Sequence, residues 1–391
     1  TGTEKDVKLF DYLSGYTWNN GNAVLDGELV TGLNQRGLPI TNLSWTKNTT
    51  SNIGFDLTMF NNRLKITADA FRKDITGVPA ARYDVLLPSE VGYTLPNENL
   101  NKQAYIGAEG MVTWTDHIGD LNYTVSGNFT FSRYKSIETY KPRFNNSWDE
   151  YRNSAEGRWG GIYWGYQVIG QFQSEEEIRN YPVNLDGNNN RTLLPGDFIY
   201  KDVNGDGIIN GMDERPIGYP EGWAPIMSFG GNIGLAWKGI DLNIDLSGGA
   251  MQGWRQNYEL ANAYHGNGNS PVYLLEDRWH RADLYDPESE WIPGRYPAIR
   301  KGEFSYNNKN SDFWLHNVRY LRIKNLEVGY SLPAQLLRPI RAQKVRIYAN
   351  VSNLCSFDNV GKFGVDPEIT AAAAVVYPQQ RTFLLGFNIT Y

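Results

Sequence analysis

The chain has 391 residues, a formal net charge of −6 and a single cysteine, Cys355. A mildly acidic chain without a basic cluster is a poor partner for nucleic acid, and one cysteine excludes an internal disulfide and thiolate metal sites. Aromatics are 14% of residues, with 25 Tyr, 12 Trp and 40 Gly, which suits strands and turns; no stretch approaches the ~18 apolar residues of a membrane helix, a limit that does not touch membrane-spanning strands.

Thr1 to Lys8 is polar and charged and does not read as a signal peptide. Residues 1–50 read as loop, with one further strand near Tyr12 to Trp18. From there the chain alternates with period two, the mark of a strand with one apolar and one wet face. The expected strands lie near 51–60, 64–73, 105–116, 121–133, 226–237, 240–252, 319–332, 344–354 and 381–391. Leu64, Ile66, Ala68 and Ala70 alternate with Lys65, Thr67 and Asp69. Leu121, Tyr123, Val125, Phe129 and Phe131 share one face, and Asn122, Thr124, Ser126, Asn128 and Thr130 the other. Ile240, Leu242, Ile244 and Leu246 alternate with Asp241, Asn243, Asp245 and Ser247. Phe383, Leu385, Phe387, Ile389 and Tyr391 close the chain on one face.

The links between these strands carry the topology. Those at 61–63, 117–120, 238–239 and 333–343 are short; those at 74–104, 134–225, 253–318 and 355–380 are long. Short and long alternate without a break, as they do in a transmembrane barrel with tight turns on one side and long loops on the other. The expected fold is therefore an all-β, transmembrane antiparallel β-barrel in the bacterial outer membrane, with the 121–131 apolar face toward lipid. About nine strands are too few for a wide lumen, so residues 1–391 are expected to be the C-terminal part of a large barrel, with the remaining part of the same barrel, and any plug, N-terminal to them.

One motif carries chemistry. Asp202-Val-Asn204-Gly-Asp206-Gly207-Ile208-Ile-Asn210-Gly-Met-Asp213 follows the calcium-loop template, with oxygen donors at positions 1, 3, 5, 7, 9 and 12 and Gly at 6. Asp202, Asn204, Asp206 and Asp213 would give side-chain oxygens, Ile208 its carbonyl, and Asn210 a direct or water-mediated contact. A structural calcium ion is the expectation; an Asx-rich turn without metal is the alternative. Trp159, Tyr163, Trp164 and Tyr166 form an aromatic run that suits a girdle at the membrane interface or a stacking platform for substrate. Trp279 and Trp291 in the next long link are further candidates for substrate or partner contact. Glu175-Glu176-Glu177 reads as a solvated face. The four histidines lack metal-ligand spacing, and no nucleophile, paired-carboxylate or phosphate-loop signature appears, so no enzyme is expected.

Gly165-Tyr166, Gly170-Gln-Phe172, Pro195-Gly-Asp197-Phe-Ile-Tyr200-Lys-Asp202 and Ile217-Gly218 resemble the SusC/RagA family of TonB-dependent transporters. So do Asn61-Asn-Arg63-Leu-Lys-Ile, Asp277-Arg278-Trp279, Tyr296-Pro297, Val318-Arg-Tyr-Leu321-Arg-Ile-Lys324-Asn325-Leu326, Val345 to Leu354 and the closing Gln380-Arg-Thr-Phe383. The resemblance runs through nearly the whole chain. It implies TonB-driven uptake of an oligosaccharide or peptide, a SusD-like surface lipoprotein as lid, and energy coupling to TonB through the region before Thr1. A secreted, calcium-binding, β-rich glycan-binding protein is the competing reading.

Overall fold

The period-two segments form strands in the computed structural model, which describes residues 2–3, 13–35, 37–40, 42, 44–82, 84–221, 224–300, 304–368, 377 and 379–391. The long strands are β1 (Thr46–Met59), β2 (Leu64–Ala80), β3 (Glu98–Ile118), β4 (Leu121–Glu138), β5 (Met227–Trp237), β6 (Ile240–Arg255), β7 (Leu315–Ser331), β8 (Lys344–Asp358) and β9 (Thr382–Thr390). They neighbour one another in chain order in one sheet, with Gly2–Thr3 added beside β1. Every expected strand is present. The ends at the short links agree within a few residues, whereas several at the long links run on: β2 reaches Ala80, β3 begins at Glu98 and β4 ends at Glu138. The link between β5 and β6 is Lys238-Gly239, both at positive φ (47° and 87°), the geometry a two-residue hairpin turn needs. Among the described residues no helix is long and apolar enough to cross a membrane.

Two compact units divide the chain: 1–55, 69–108 and 132–160 in one, and 56–68, 109–131 and 161–391 in the other. In the first, residues expected as loop form a two-stranded ribbon, Tyr16–Leu25 against Glu28–Gln35. The expected strand near Tyr12 to Trp18 thus begins at Tyr16, and Tyr12 itself lies outside the described residues. A register shift between Trp18 and Asn22 breaks the alternation, which is why the pattern did not declare the ribbon. Also in this unit, Asp84 accepts from Arg82 (3.2 Å) and from the Tyr140 hydroxyl (3.0 Å), tying two links together.

In the second unit the antiparallel register sets like against like. Val125 stands opposite Ile233, Phe129 opposite Phe229, and Gly127 opposite Gly231. The row continues as Ile233 beside Ile244, Ile244 beside Leu326, Leu326 beside Val351 and Val351 beside Phe383. Val125, Phe129, Phe383, Leu385 and Phe387 are exposed among the described residues. The other face is a ladder of amides and acids. Asn232 donates to Asn243 (2.8 Å) and Asp245 (2.6 Å), Asn350 to Asn325 (2.8 Å), and Arg346 to Asp241 (3.0 Å) and Glu327 (2.7 Å). One side thus suits hydrocarbon and the other a wet lumen, with the polar groups satisfied among themselves.

Candidate functional site

The long links of the second unit are not slack. Short pairings brace them: 163–165 with 215–218, 168–171 with 198–200, and 280–281 with 291–292. The acidic run at 175–177 is the first turn of a helix, Glu175–Asn180, whose Ser174 cap accepts from the Glu177 N–H (3.1 Å). Acidic side chains belong there because free N–H groups and the helix dipole favour negative charge. Around these braces Tyr166, Phe172, Phe198, Tyr200, Tyr296 and Trp314 lead a buried core drawn from both large links.

The polar centre of that core is Asp197, 0% exposed. It pairs with Arg300 and accepts from Asn307 Nδ2 (2.8 Å) and the Leu194 N–H (2.8 Å). The Tyr200 hydroxyl donates to the Tyr306 carbonyl (2.8 Å), and Trp314 Nε1 donates to the Asn307 carbonyl (2.7 Å). Burial pushes the Asp197 carboxyl above its usual range, against the pull of Arg300, Asn307 and Leu194. Gly196 precedes it at φ +91°, and a Cβ there would lie 2.3 Å from the Trp279 ring. Pro195-Gly-Asp197 is therefore a packing motif: Gly lets the turn touch Trp279 while Asp197 locks the neighbouring link.

The six expected calcium donors share one turn, and their side-chain oxygens serve the turn itself. Asp202 accepts from Gly205 N–H (2.7 Å) and Gly207 N–H (2.9 Å). Asn204 accepts from Asp206 N–H (3.1 Å), Asp206 from Ile208 N–H (3.0 Å), and Asn210 from Met212 N–H (2.7 Å). Asp213, 1% exposed, uses one oxygen on Val203 N–H (2.9 Å) and the other on Asn210 N–H (2.9 Å). The Asn204 amide, and after it the Ile208 N–H, hold Asp206 below the usual carboxylate range. Among the described residues no three His, Cys, Asp or Glu side chains stand close enough to share a metal ion. A cation does stand nearby: the Lys309 ammonium lies over the rings of Tyr166 (4.9 Å), Tyr306 (5.2 Å) and Tyr200 (5.4 Å). Burial lowers its pKa, while Asp213 and Asp186 pull it back up.

The aromatic candidates separate by burial. Tyr166 and Trp279 (9% and 3% exposed) belong to the packed interior of the loops, and burial pushes the Tyr166 hydroxyl up to about 12. Both rings, expected as substrate or partner contacts, pack against protein in this structure. Tyr163 is half-buried beside Glu221; burial, with that negative charge, pushes it up to about 12. Trp164 is half-buried on the same short strand. Trp291 carries the Arg281 guanidinium 4.4 Å over its ring. In the other unit Trp159 lies under Arg133 (5.4 Å) and Lys135 (5.5 Å). The alternation test passed over the more exposed groups, Leu284 (71%) and Tyr285 (96%), because a turn of Asp, Pro and Glu carries no periodic signal.

No family model matches the chain. The TonB-dependent receptor P3 of Formosa agariphila is 25% identical over 94% of the chain and 36% of its own length. The TonB-dependent receptor SusC of Bacteroides thetaiotaomicron is 25% identical over 100% of the chain and 36% of its own length. The RagAB peptide importer in its open-open state superposes with a TM-score of 0.67 and 19% identity, covering 100% of the chain and 39% of that structure. A second RagAB peptide transporter structure gives 0.65 and 18%, with 100% and 40% covered. The chain thus spans little more than a third of these relatives. The sheet matches part of an outer-membrane transporter barrel in fold. In sequence this chain is similar to TonB-dependent receptors, SusC among them, and in fold it matches a portion of an outer-membrane transporter β-barrel.

Proposed function

We propose that this barrel portion serves the active import of an oligomeric nutrient, a glycan or a peptide, with a SusD-like surface lipoprotein as lid and energy drawn through TonB. The observation that supports it most is the loop assembly. Membrane anchoring needs only strands and turns, yet the links at 139–226 and 256–314 are long and share a buried core. Long loops held rigid over a barrel are built to receive something. Glycan and peptide remain joint candidates, because one similar structure is a peptide importer and the aromatic loops suit either. The test uses the full transporter. Cells lacking it lose growth on the oligomer but keep growth on its monomers. Leu284→Asp with Tyr285→Asp weakens co-purification of the lid about tenfold, a typical loss when contact aromatics go. Unchanged growth on every oligomer after deletion sinks the importer reading, and unchanged lid recovery moves the docking surface elsewhere.

For the 202–213 loop we propose a metal-free turn, closed by its own N–H donors and by the nearby Lys309 charge. Asp213, the last donor of the template, is buried and already accepts one backbone N–H on each oxygen. Protease cleavage between 202 and 213 is expected to proceed at the same rate in chelator and in calcium. Strong protection by calcium would restore the ion.

A further inference from the structure

Arg322 lies on the lumen-facing side of β7 and is almost fully buried, 4% exposed. A guanidinium cannot shed its charge, so burial demands partners. It donates to Asp366 (2.6 Å), Glu368 (3.0 Å) and Gln379 (2.8 Å). Lys324, on the same strand, adds a bond to Glu368 (2.7 Å). All three acceptors of Arg322 come from the link between β8 and β9, whereas both cations come from the wall. Two positive and two negative charges face each other, so the contact is neutral when closed and leaves bare charges on both sides when open.

A few residues earlier the same link is held differently. Val360 (1% exposed) and Phe363 (5%) pack on Trp254 and Val318 of the wall. The Phe363 ring lies 4.7 Å from His316 and 5.7 Å from both Trp254 and Tyr273. Between the two attachments Gly364 takes φ +75°, a backbone state few other residues accept. Apolar contact is non-directional and survives small rotations. A buried ion cluster has one closed geometry and fails as a unit. The segment therefore has a tolerant attachment at one end, a discrete one at the other, and a glycine between.

We propose that residues 359–368 form a strap on the lumen wall, with Val360 and Phe363 as its pivot and Arg322 with Asp366 and Glu368 as a latch that opens when substrate passes. The proposal rests on the importer reading for the substrate, but the latch is tested without transport. The full transporter, in outer membrane, carries Cys355→Ala to remove the native thiol and Val365→Cys as a reporter on the strap. Its labelling by an impermeant maleimide is expected to rise about tenfold or more when Arg322→Gln leaves the carboxylates uncompensated. Asp366→Asn with Glu368→Gln opens the latch from the other side, and it replaces the arginine variant if that variant fails to assemble. Labelling that stays at the parent rate in an assembled variant overturns the latch, whatever uptake does.

A second arm tests opening during passage. Val318 and Val365 line one small cavity. With Cys355→Ala, Val318→Cys and Val365→Cys, oxidation should close the strap and reduce uptake about tenfold, and reductant should restore it, as a two-state gate requires. Full uptake with the disulfide formed overturns the gate. Absence of uptake in the parent transporter overturns the importer reading, and the labelling arm still decides the latch.

Discussion

Asp197→Ala is expected to loosen the loop assembly while the barrel stays in the membrane. The side chain is fully buried and serves Arg300, Asn307 and the Leu194 N–H at once. Removing one partner of a buried ion pair costs about 3–5 kcal/mol, because the guanidinium keeps its charge without its counter-ion. That loss falls where the links at 139–226 and 256–314 meet, so both should open together. Limited proteolysis is the measurement: new cuts appear around 186–201 and 304–311, while heat-modifiable gel mobility is retained. Asp197→Asn, which can still accept from Leu194, is expected to open less. Resistance equal to the parent in the alanine variant would mean that the aromatic core alone carries the assembly.

The second large effect lies in the membrane. Val125 is 44% exposed and sits in the apolar row opposite Ile233, whereas Ser126 sits opposite Asn232 at the start of the amide ladder. Arg near the bilayer midplane costs about 2–4 kcal/mol on the lipid face and little on a wet lumen face. Val125→Arg should therefore lower the folded fraction in outer membrane severely, and Ser126→Arg only slightly. Heat modifiability of the two variants at matched expression gives the comparison. Equal losses would show that the faces of β4 are not assigned to lipid and lumen as drawn.

The sequence by itself determined the barrel. Val125, Leu242, Ile323 and Leu385 all sit in strands whose odd–even pattern states which face meets lipid. Lipid demands an apolar side chain at every second position, so the pattern holds only across the hydrocarbon. At the long links β2, β3 and β4 continue to Ala80, from Glu98 and to Glu138 with backbone pairing, and the alternation that marks a strand disappears. That is why the strand ends at the tight turns were legible and those at the long links were not.

Only the tertiary structure decided what the links do. Pro195-Gly-Asp197 was visible as a motif, but its partners Arg300 and Asn307 lie more than a hundred residues away, and nothing local names them. Trp279 and Tyr166 read the same as any loop aromatic until packing buries them. The calcium template was legible from spacing, whereas the Asx hydrogen bonds that carry the oxygens of the 202–213 turn to backbone N–H groups appear only in the folded turn. Arg322 occupied an ordinary wet position in an alternating strand; its burial comes from a link that returns to the wall from 44 residues onward. Alternation is a one-dimensional consequence of the solvent on each face, whereas loop packing, ion pairing and ligand geometry depend on which distant segments meet.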